Sequence, residues 1–171
     1  MTPSFNSLTI MKTMLMAAVS VFLLNSCVFD SPFESNAKIP VDANLLGRWE
    51  EVSEKDPNRM LVLQHSANEY LVQYPVNEKG MFFRAYPVNL DGVTCIQLQL
   101  IGTAEGPVKV VDRKYHLFKV TAKDDSMEMS SIDPEVLGIK SGDPAALKAA
   151  FIKHKDDPGL FAKPGIFKRV K

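Results

Sequence analysis

Short strand-like runs separated by turn residues dominate the chain from Leu45 onwards. In the segment CIQLQLI, Ile96, Leu98 and Leu100 alternate with two glutamines, so one face of a strand is apolar and the other is polar. Asp91-Gly92 separates two such runs and is a strong signal for a two-residue hairpin turn. The runs of this kind are LLGRWEEV, RMLVLQH, EYLVQYPV, GMFFRAYPVNL, GVTCIQLQLI, KYHLFKVTA, MEMSSI and GIFKRVK. Such a meander predicts a single β-rich domain over residues 45–171, built as a small antiparallel β-barrel or half-barrel.

One helix interrupts this pattern late in the chain. Asp143 is a suitable N-cap, Pro144 suits a first helical turn, and an alanine-rich run continues to Asp157-Pro158. We therefore predict a helix over about residues 144–156, with Leu147 and Phe151 on its apolar face. The expected fold class is mainly β, with one late α-helix before a final strand.

The first 26 residues follow the order of an export signal. Lys12 precedes an apolar run from Met14 to Leu24, which is too short to span a bilayer as a helix and ends at Asn25-Ser26. A complete signal already begins at Met11. Residues 1–10 are therefore either an upstream extension or the result of a misassigned start codon.

The stretch Leu24-Asn25-Ser26-Cys27 resembles the lipobox of bacterial lipoproteins. The resemblance implies cleavage between Ser26 and Cys27, a diacylglycerol on the Cys27 sulfur and an acyl chain on its new amino group. Because each buried methylene contributes about 0.8 kcal/mol, two or three chains would anchor the protein stably. Val28 in place of an aspartate implies the outer membrane, facing the periplasm. The alternatives are an ordinary secretory signal that ends by chance at a cysteine, or an apolar segment that stays attached.

Residues 28–44 contain proline, serine, asparagine and aspartate without helical or strand periodicity. We interpret residues 27–44 as the lipidated cysteine and a flexible tether. As a free coil, the tether would hold the domain on the order of 25 Å from the lipid. Phe29 and Phe33 have two alternatives within this interpretation, to dip into the headgroup layer or to dock on the domain.

Composition limits the classes of function. Removal of residues 1–26 from the 171-residue chain leaves 145 residues, enough for one domain with a core. The chain has 20 basic and 20 acidic residues, and this balance argues against nucleic acid as a partner.

Once Cys27 is lipidated, Cys95 is the sole thiol and no disulfide can form. We interpret Cys95, which lies in a strand pattern, as a buried apolar residue.

The segment LLGRW is similar to the Gly-x-Trp opening of lipocalins and fatty-acid-binding proteins. The resemblance implies that Trp49, two residues after Gly47, plugs one end of a barrel and that a late basic residue stacks on it. Arg169 is the candidate for that role through a cation–π contact. A helix before the last strand departs from the lipocalin order.

A second resemblance covers about the last fifth of the chain. The stretch LKAAFIKHKDDPGLF is similar to the C-terminal part of a group of small bacterial envelope proteins, which implies no particular activity. The matching residues are Leu147, Lys153, His154, Asp156, Asp157, Pro158, Leu160 and Phe161.

Candidate chemistry is sparse. His154 could act as a base oriented by Asp156 or Asp157, although the same residues suit the polar end of a helix, which is the interpretation we favour. The three histidines stand at no metal-ligand spacing, so we predict no metal and no cofactor beyond the acyl chains on Cys27. The aromatic residues of FFRAY, together with Tyr74, are candidates to line an apolar pocket, although their bulk favours a largely filled barrel. The ligand-binding candidates are Trp49, Tyr70, Phe82, Tyr86 and Arg169.

These observations favour a lipid-anchored cell-envelope protein that acts as a non-enzymatic binding or interaction module. Its expected partners are the membrane, through the anchor, and either a small apolar ligand or another envelope protein. A structural or assembly partner without a ligand is the first alternative. An envelope hydrolase that uses His154 with Asp156 or Asp157 is the second.

Overall fold

Nine strands and two helices are found in the computed structural model, which describes residues 28–52 and 55–170. The helices α1 (Pro134–Leu137) and α2 (Pro144–His154) both lie between the last two strands. Single turns of 3-10 helix occur at Ala43–Leu45 and Val110–Asp112. The strands are β1 (Gly47–Glu51), β2 (Arg59–Gln64), β3 (Tyr70–Tyr74), β4 (Met81–Leu90), β5 (Val93–Thr103), β6 (Gly106–Pro107), β7 (Tyr115–Lys123), β8 (Ser126–Ser131) and β9 (Gly165–Arg169).

Eight of these strands close into an antiparallel barrel. Their order around the barrel follows the chain, β1-β2-β3-β4-β5-β7-β8-β9, and β9 pairs back onto β1. The two-residue β6 is additional and pairs only with the end of β5. Asp91 and Gly92 form the turn between β4 and β5 with φ values of 52° and 87°, as a two-residue hairpin turn with positive φ at both positions requires. The predicted antiparallel barrel is therefore confirmed, in its closed form.

The late helix is also confirmed. The Asp143 side chain accepts a hydrogen bond of 2.7 Å from the Ala146 amide, so the predicted residue caps α2. The helix ends at His154, two residues before the expected end. The shorter helix α1, which the sequence pattern did not indicate, begins at a similar Asp-Pro cap and ends at Gly138, whose φ of 72° suits a glycine.

Alternation along the strands creates two separate cores. The first fills part of the barrel interior and includes Trp49, Tyr70 and Phe83. The second lies outside the barrel wall, where outward-facing Val88 and Leu117 are covered by apolar side chains of α1, α2 and neighbouring segments. Strands β4 and β5 therefore bury side chains on both faces, as a sheet covered on both sides requires, although the outer face of β5 includes the buried polar side chains of Gln97 and Gln99.

The N-terminal segment belongs to the second core. Phe29 and Phe33 are both fully buried, and their rings meet edge to face with centroids 4.9 Å apart. Backbone groups of Phe29 and Tyr115 exchange two hydrogen bonds of 2.9 Å, which fix the segment at the start of β7. Of the two alternatives for these phenylalanines, docking on the domain is the one observed.

The segment then follows the barrel wall as far as Tyr70. The side-chain oxygen of Gln97, a fully buried residue on β5, accepts hydrogen bonds from the amides of Phe33 and Glu34, at 2.6 and 3.2 Å. Further along, the Asp42 amide donates to the Tyr70 hydroxyl at 2.6 Å. The structure thus differs from the flexible tether expected over residues 27–44, because the described part of that segment is held by buried aromatic rings and hydrogen bonds. The predicted signal and the predicted cleavage and lipidation site, Ser26 and Cys27, lie outside the described residues.

Candidate functional site

The barrel encloses a cavity of about 400 Å³ that opens at one end. The opening, called the mouth here, lies where β1, β3 and β8 end and β2 and β9 begin. Most of the wall is apolar, because inward positions of a barrel alternate with outward positions along each strand. The apolar wall includes Met60, Val72, Phe83, Leu98, Phe118 and Phe167.

Aromatic rings shape one side of this cavity. The rings of Phe83 and His116 are nearly perpendicular with centroids 5.9 Å apart, and the rings of His116 and Phe118 are stacked at 6.3 Å. His116 is the buried polar side chain of this wall. The imidazole therefore contacts the rings of Phe83 and Phe118 and forms part of the aromatic side of this wall.

Polar groups collect at the mouth. The Asn58 side-chain amide donates to the Glu51 carboxylate at 2.9 Å, and both residues line the cavity with Tyr74 and Lys163. Burial, reinforced by the nearby Glu51 carboxylate, raises the pKa of Tyr74 to about 12. Tyr74 is therefore a neutral hydroxyl at neutral pH and can donate a hydrogen bond. The mouth therefore combines an acidic side chain, a basic side chain and neutral hydrogen-bonding groups, and the interior behind it is largely apolar.

The opposite end of the barrel is plugged. The Arg169 guanidinium lies over the Trp49 ring, 4.3 Å from its centroid, and donates to the carbonyls of Leu46 and Asn44 at 2.6 and 2.7 Å. The Trp49 indole N–H in turn donates to the Leu45 carbonyl at 2.9 Å. The stacking of Arg169 on Trp49 that the Gly-x-Trp resemblance implied is confirmed.

Gly47 is required by this plug for two reasons. Its φ is 121°, a backbone conformation that side chains rarely adopt. A Cβ at this position would also lie 3.0 Å from a guanidinium nitrogen of Arg169.

A void of about 40 Å³, lined in part by Tyr70, lies between the plug and the larger cavity. It is too small for more than about one or two waters.

The predicted ligand-binding residues do not line the larger cavity. Trp49 and Arg169 form the plug at the other end, and Tyr70 lines only the small void. Phe82 lies one position from the cavity-lining Phe83, so it points to the opposite face of β4. Tyr86 faces the outer core. Tyr74 and Phe83, from the wider aromatic set considered in the sequence, are the ones that line the cavity.

Tyr86 has a structural role in the structure. It is fully buried, its hydroxyl donates to the Glu34 carbonyl at 2.6 Å, and it accepts from the Gln97 side-chain amide at 2.6 Å. From the sequence, Tyr86 was predicted to line an apolar pocket, because nothing in FFRAY indicates which face of the strand each aromatic ring lies on. The partners of its hydroxyl come from residues 11 and 52 positions away.

The candidate catalytic residues lie at the end of α2. His154 Nδ1 is 2.7 Å from a carboxylate oxygen of Asp157, and neither residue lines either of the two cavities. Asp156 is exposed. This arrangement matches the polar helix end that the sequence also allowed.

Cys95 and the side chains that could bind a metal were also candidates for chemistry. Cys95 is buried, and burial raises the pKa of its thiol to about 12, so it behaves as an apolar side chain at neutral pH. Within the described ranges, His, Cys, Asp and Glu side chains form no group of three that could hold a metal ion. No helix in residues 28–52 and 55–170 is long and apolar enough to cross a bilayer.

Comparisons with protein-family models, with curated proteins and with solved structures found no match for this chain. The cavity and its mouth therefore carry the functional argument on their own physical chemistry.

Proposed function

We propose that this is a lipid-anchored envelope protein whose barrel binds one small molecule with an apolar body and a polar end. The observation that carries the proposal is the cavity of about 400 Å³, which has apolar walls and opens at one end of the barrel. Cavities of about 300–1,000 Å³ with a few polar groups are typical of ligand sites. The sequence favoured a largely filled barrel, and the cavity instead supports a binding role.

The size of the cavity limits the ligand. At about 30 Å³ for each water in the liquid, 400 Å³ corresponds to roughly 13 water volumes, so a ligand has on the order of a dozen non-hydrogen atoms inside the barrel. A single acyl chain or a small ring system fits that volume. A folded peptide or a nucleotide with its phosphates does not.

The distribution of polar groups orients the ligand. Apart from His116, the deep wall is apolar up to the plug, whereas Glu51, Asn58, Tyr74 and Lys163 stand at the mouth. Burial of a polar group without a partner costs about 1–3 kcal/mol, so the polar end of the ligand stays at the mouth. Its apolar part contributes about 25 cal/mol for each Å² removed from water.

The anchor part of the proposal rests on the sequence. Cys27 would carry a diacylglycerol and an acyl chain, and Val28 after it favours the outer membrane, with the domain in the periplasm. An attached barrel would keep its ligand beside the membrane. The protein acts in this proposal by binding and presenting a molecule, without a catalytic step.

Two measurements test the proposal on the whole lipidated protein in nanodiscs of diacyl lipid, a medium without the single-chain detergents that would compete for the cavity. Native mass spectrometry should find a reproducible added mass beyond the acyl chains on Cys27. Titration with a fluorescent single-chain probe such as cis-parinaric acid should give saturable binding with one site. Absence of both would contradict the proposal and would redirect attention to a protein partner.

Matched variants locate the binding site. Val72→Phe and Ser131→Leu add side-chain volume within the cavity wall, and both should weaken probe binding at least about tenfold, as a loss of about 1.4 kcal/mol produces. Val170→Phe adds the same ring as Val72→Phe at the plugged end and should bind like the wild type. Equal affinities for all three variants would place the probe elsewhere.

A further inference from the structure

The antiparallel order of the barrel places a defined set of loops around the mouth. Strands that alternate in direction put every second connection at the same end. The described residues of the connections at the mouth are 52 and 55–58 between β1 and β2, 75–80 between β3 and β4, 104–114 between β5 and β7, and the helical segment between β8 and β9. The first three are called the mouth loops here.

Exposed valines are concentrated on the mouth loops. In the described part of the chain, the large apolar side chains that are exposed are Val52, Leu63, Val76, Val110, Val111, Ile152, Ile166 and Val170. Half of them are mouth-loop valines, exposed by 60% at Val52, 40% at Val76, 73% at Val110 and 88% at Val111. Each of the three mouth loops carries at least one. The end of the barrel that holds the opening thus carries a set of exposed valines, called the rim here, none of which lines the cavity itself.

The described chain also starts at the mouth end. Phe29 pairs with Tyr115, the first residue of β7, directly after the loop that carries Val110 and Val111. The Asp30 carboxylate contacts Lys114 at the end of the same loop. Because successive Cα atoms are at most 3.8 Å apart along the chain, a lipid on Cys27 would be attached within about 8 Å of Phe29.

One of the three mouth loops, residues 104–114, has surroundings that suit a lipid surface. Lys109 and Arg113 flank the two most exposed valines, and Asp112 between them leaves the short segment with a net positive charge. Interfacial contacts combine buried apolar side chains with basic groups that reach headgroups. The valines are spread over three loops at the open end of the barrel, so a bilayer surface could contact all of them together. A protein partner could contact all of them only by covering the mouth.

We propose that the mouth loops rest on the bilayer that holds the anchor, with Val52, Val76, Val110 and Val111 in the interface, so that the cavity takes a single-chain amphiphile directly from the membrane. This proposal rests on lipidation of Cys27 in the proposed function. It adds the orientation of the domain and the source and class of the ligand.

Site-specific fluorescence tests the orientation on the whole lipidated protein. Val111→Cys and Val76→Cys introduce thiols at the mouth loops, and Leu63→Cys and Val170→Cys introduce matched thiols at the plugged end. Cys95 is buried with a raised pKa, so it does not compete for a thiol-reactive dye under native conditions. Each labelled protein is reconstituted into vesicles of phosphatidylethanolamine and phosphatidylglycerol, with and without doxyl-labelled lipid.

We expect a blue-shifted emission and strong doxyl quenching at Val111→Cys and Val76→Cys, and neither effect at the two plugged-end positions. Quenching at Leu63→Cys or Val170→Cys alone, or equal weak quenching at all four, would overturn the proposal. A domain held away from the membrane by a protein partner would give the second result.

A second readout separates this proposal from the proposed function. Mass spectrometry of the same preparations reports whether Cys27 carries its acyl chains, and probe titration in nanodiscs of diacyl lipid reports whether the cavity binds. A lipidated protein that binds the probe but shows no quenching at the mouth loops would retain the proposed function and refute the orientation. In the labelled Val76→Cys protein, the added substitutions Val110→Asp and Val111→Asp together should reduce doxyl quenching. The added substitution Ile152→Asp on α2 should leave that quenching unchanged.

Discussion

Replacement of Phe33 by alanine tests whether the N-terminal segment is part of the folded domain. The Phe33 side chain is fully buried beneath the outer core and packs edge to face on Phe29. Its backbone amide donates to Gln97, and this hydrogen bond remains possible in Phe33→Ala. The substitution therefore isolates the packing of one ring.

The magnitude follows from that packing. Full burial of a phenylalanine side chain contributes about 1.5–3 kcal/mol, and an aromatic pair adds about 0.5–1.5 kcal/mol. A cavity left behind increases the loss, and measured Phe→Ala changes in cores lower the free energy of unfolding by about 3–5 kcal/mol. Since small domains are stable by about 5–15 kcal/mol, we expect Phe33→Ala to lose a large share of the stability. A flexible tether would instead predict a change near zero.

Urea unfolding of the protein, followed by tryptophan fluorescence and circular dichroism, measures this loss. With a slope of about 2 kcal/mol per molar urea, the midpoint should fall by about 1.5–2.5 M. Asn36→Ala, at an exposed position of the same segment, is the control and should change the midpoint little. A loss below about 1 kcal/mol for Phe33→Ala would refute the assignment of this segment to the core.

Three further substitutions test other contacts. Arg169→Met removes the guanidinium from the single tryptophan, Trp49, and from two backbone carbonyls. It should lower the free energy of unfolding by about 1–3 kcal/mol and shift the Trp49 emission. Lys168→Met is the control, and an Arg169→Met emission spectrum equal to that of the control would contradict the plug. Tyr86→Phe removes the hydroxyl from the Glu34 carbonyl and from the Gln97 amide, which still donates to that carbonyl at 3.0 Å, so it should cost about 1–1.5 kcal/mol in urea unfolding; a cost below about 0.5 kcal/mol would contradict the buried network. The hydrogen bond from Lys148 lowers the pKa of Glu34 from its ordinary value of 4.5, so its stabilising contribution is present above pH 4.5 and is lost as the pH falls through the lower folded-state pKa. Glu34→Gln should therefore be less stable than the wild type at pH 7, by less than about 1 kcal/mol, and the difference should shrink in acid; a constant difference, or the same pH dependence in Glu105→Gln, would refute this assignment.

Local signals in the sequence were sufficient for the elements of the barrel. Alternation of apolar and polar residues marks a half-buried strand, and Asp91-Gly92 favours one turn geometry by itself. Asp143 and Pro144 likewise define the start of α2 through contacts within one helical turn. Each of these features depends on residues that are close in the chain, so it can be identified without the tertiary structure.

The docked segment could not be identified in that way. Residues 28–44 have no periodicity, and their stability comes from partners on β4, β5 and β7 that are tens of residues away. Two phenylalanines among prolines and aspartates suit either a membrane surface or a protein core. The choice between these depended on an outer barrel face that was apolar and needed cover.

The sequence by itself determined the strands, the hairpin turns, the late helix and the pairing of Trp49 with Arg169, because each is encoded by short patterns or a recognisable motif. Only the tertiary structure decided which rings face the barrel interior, because a shift of one position along a strand moves a side chain to the opposite face. Phe83 rather than Phe82 therefore lines the cavity, and Tyr86 supports the outer core. The cavity is the space that remains inside the closed eight-stranded barrel, one end of which is plugged. That volume depends on all the inward side chains together.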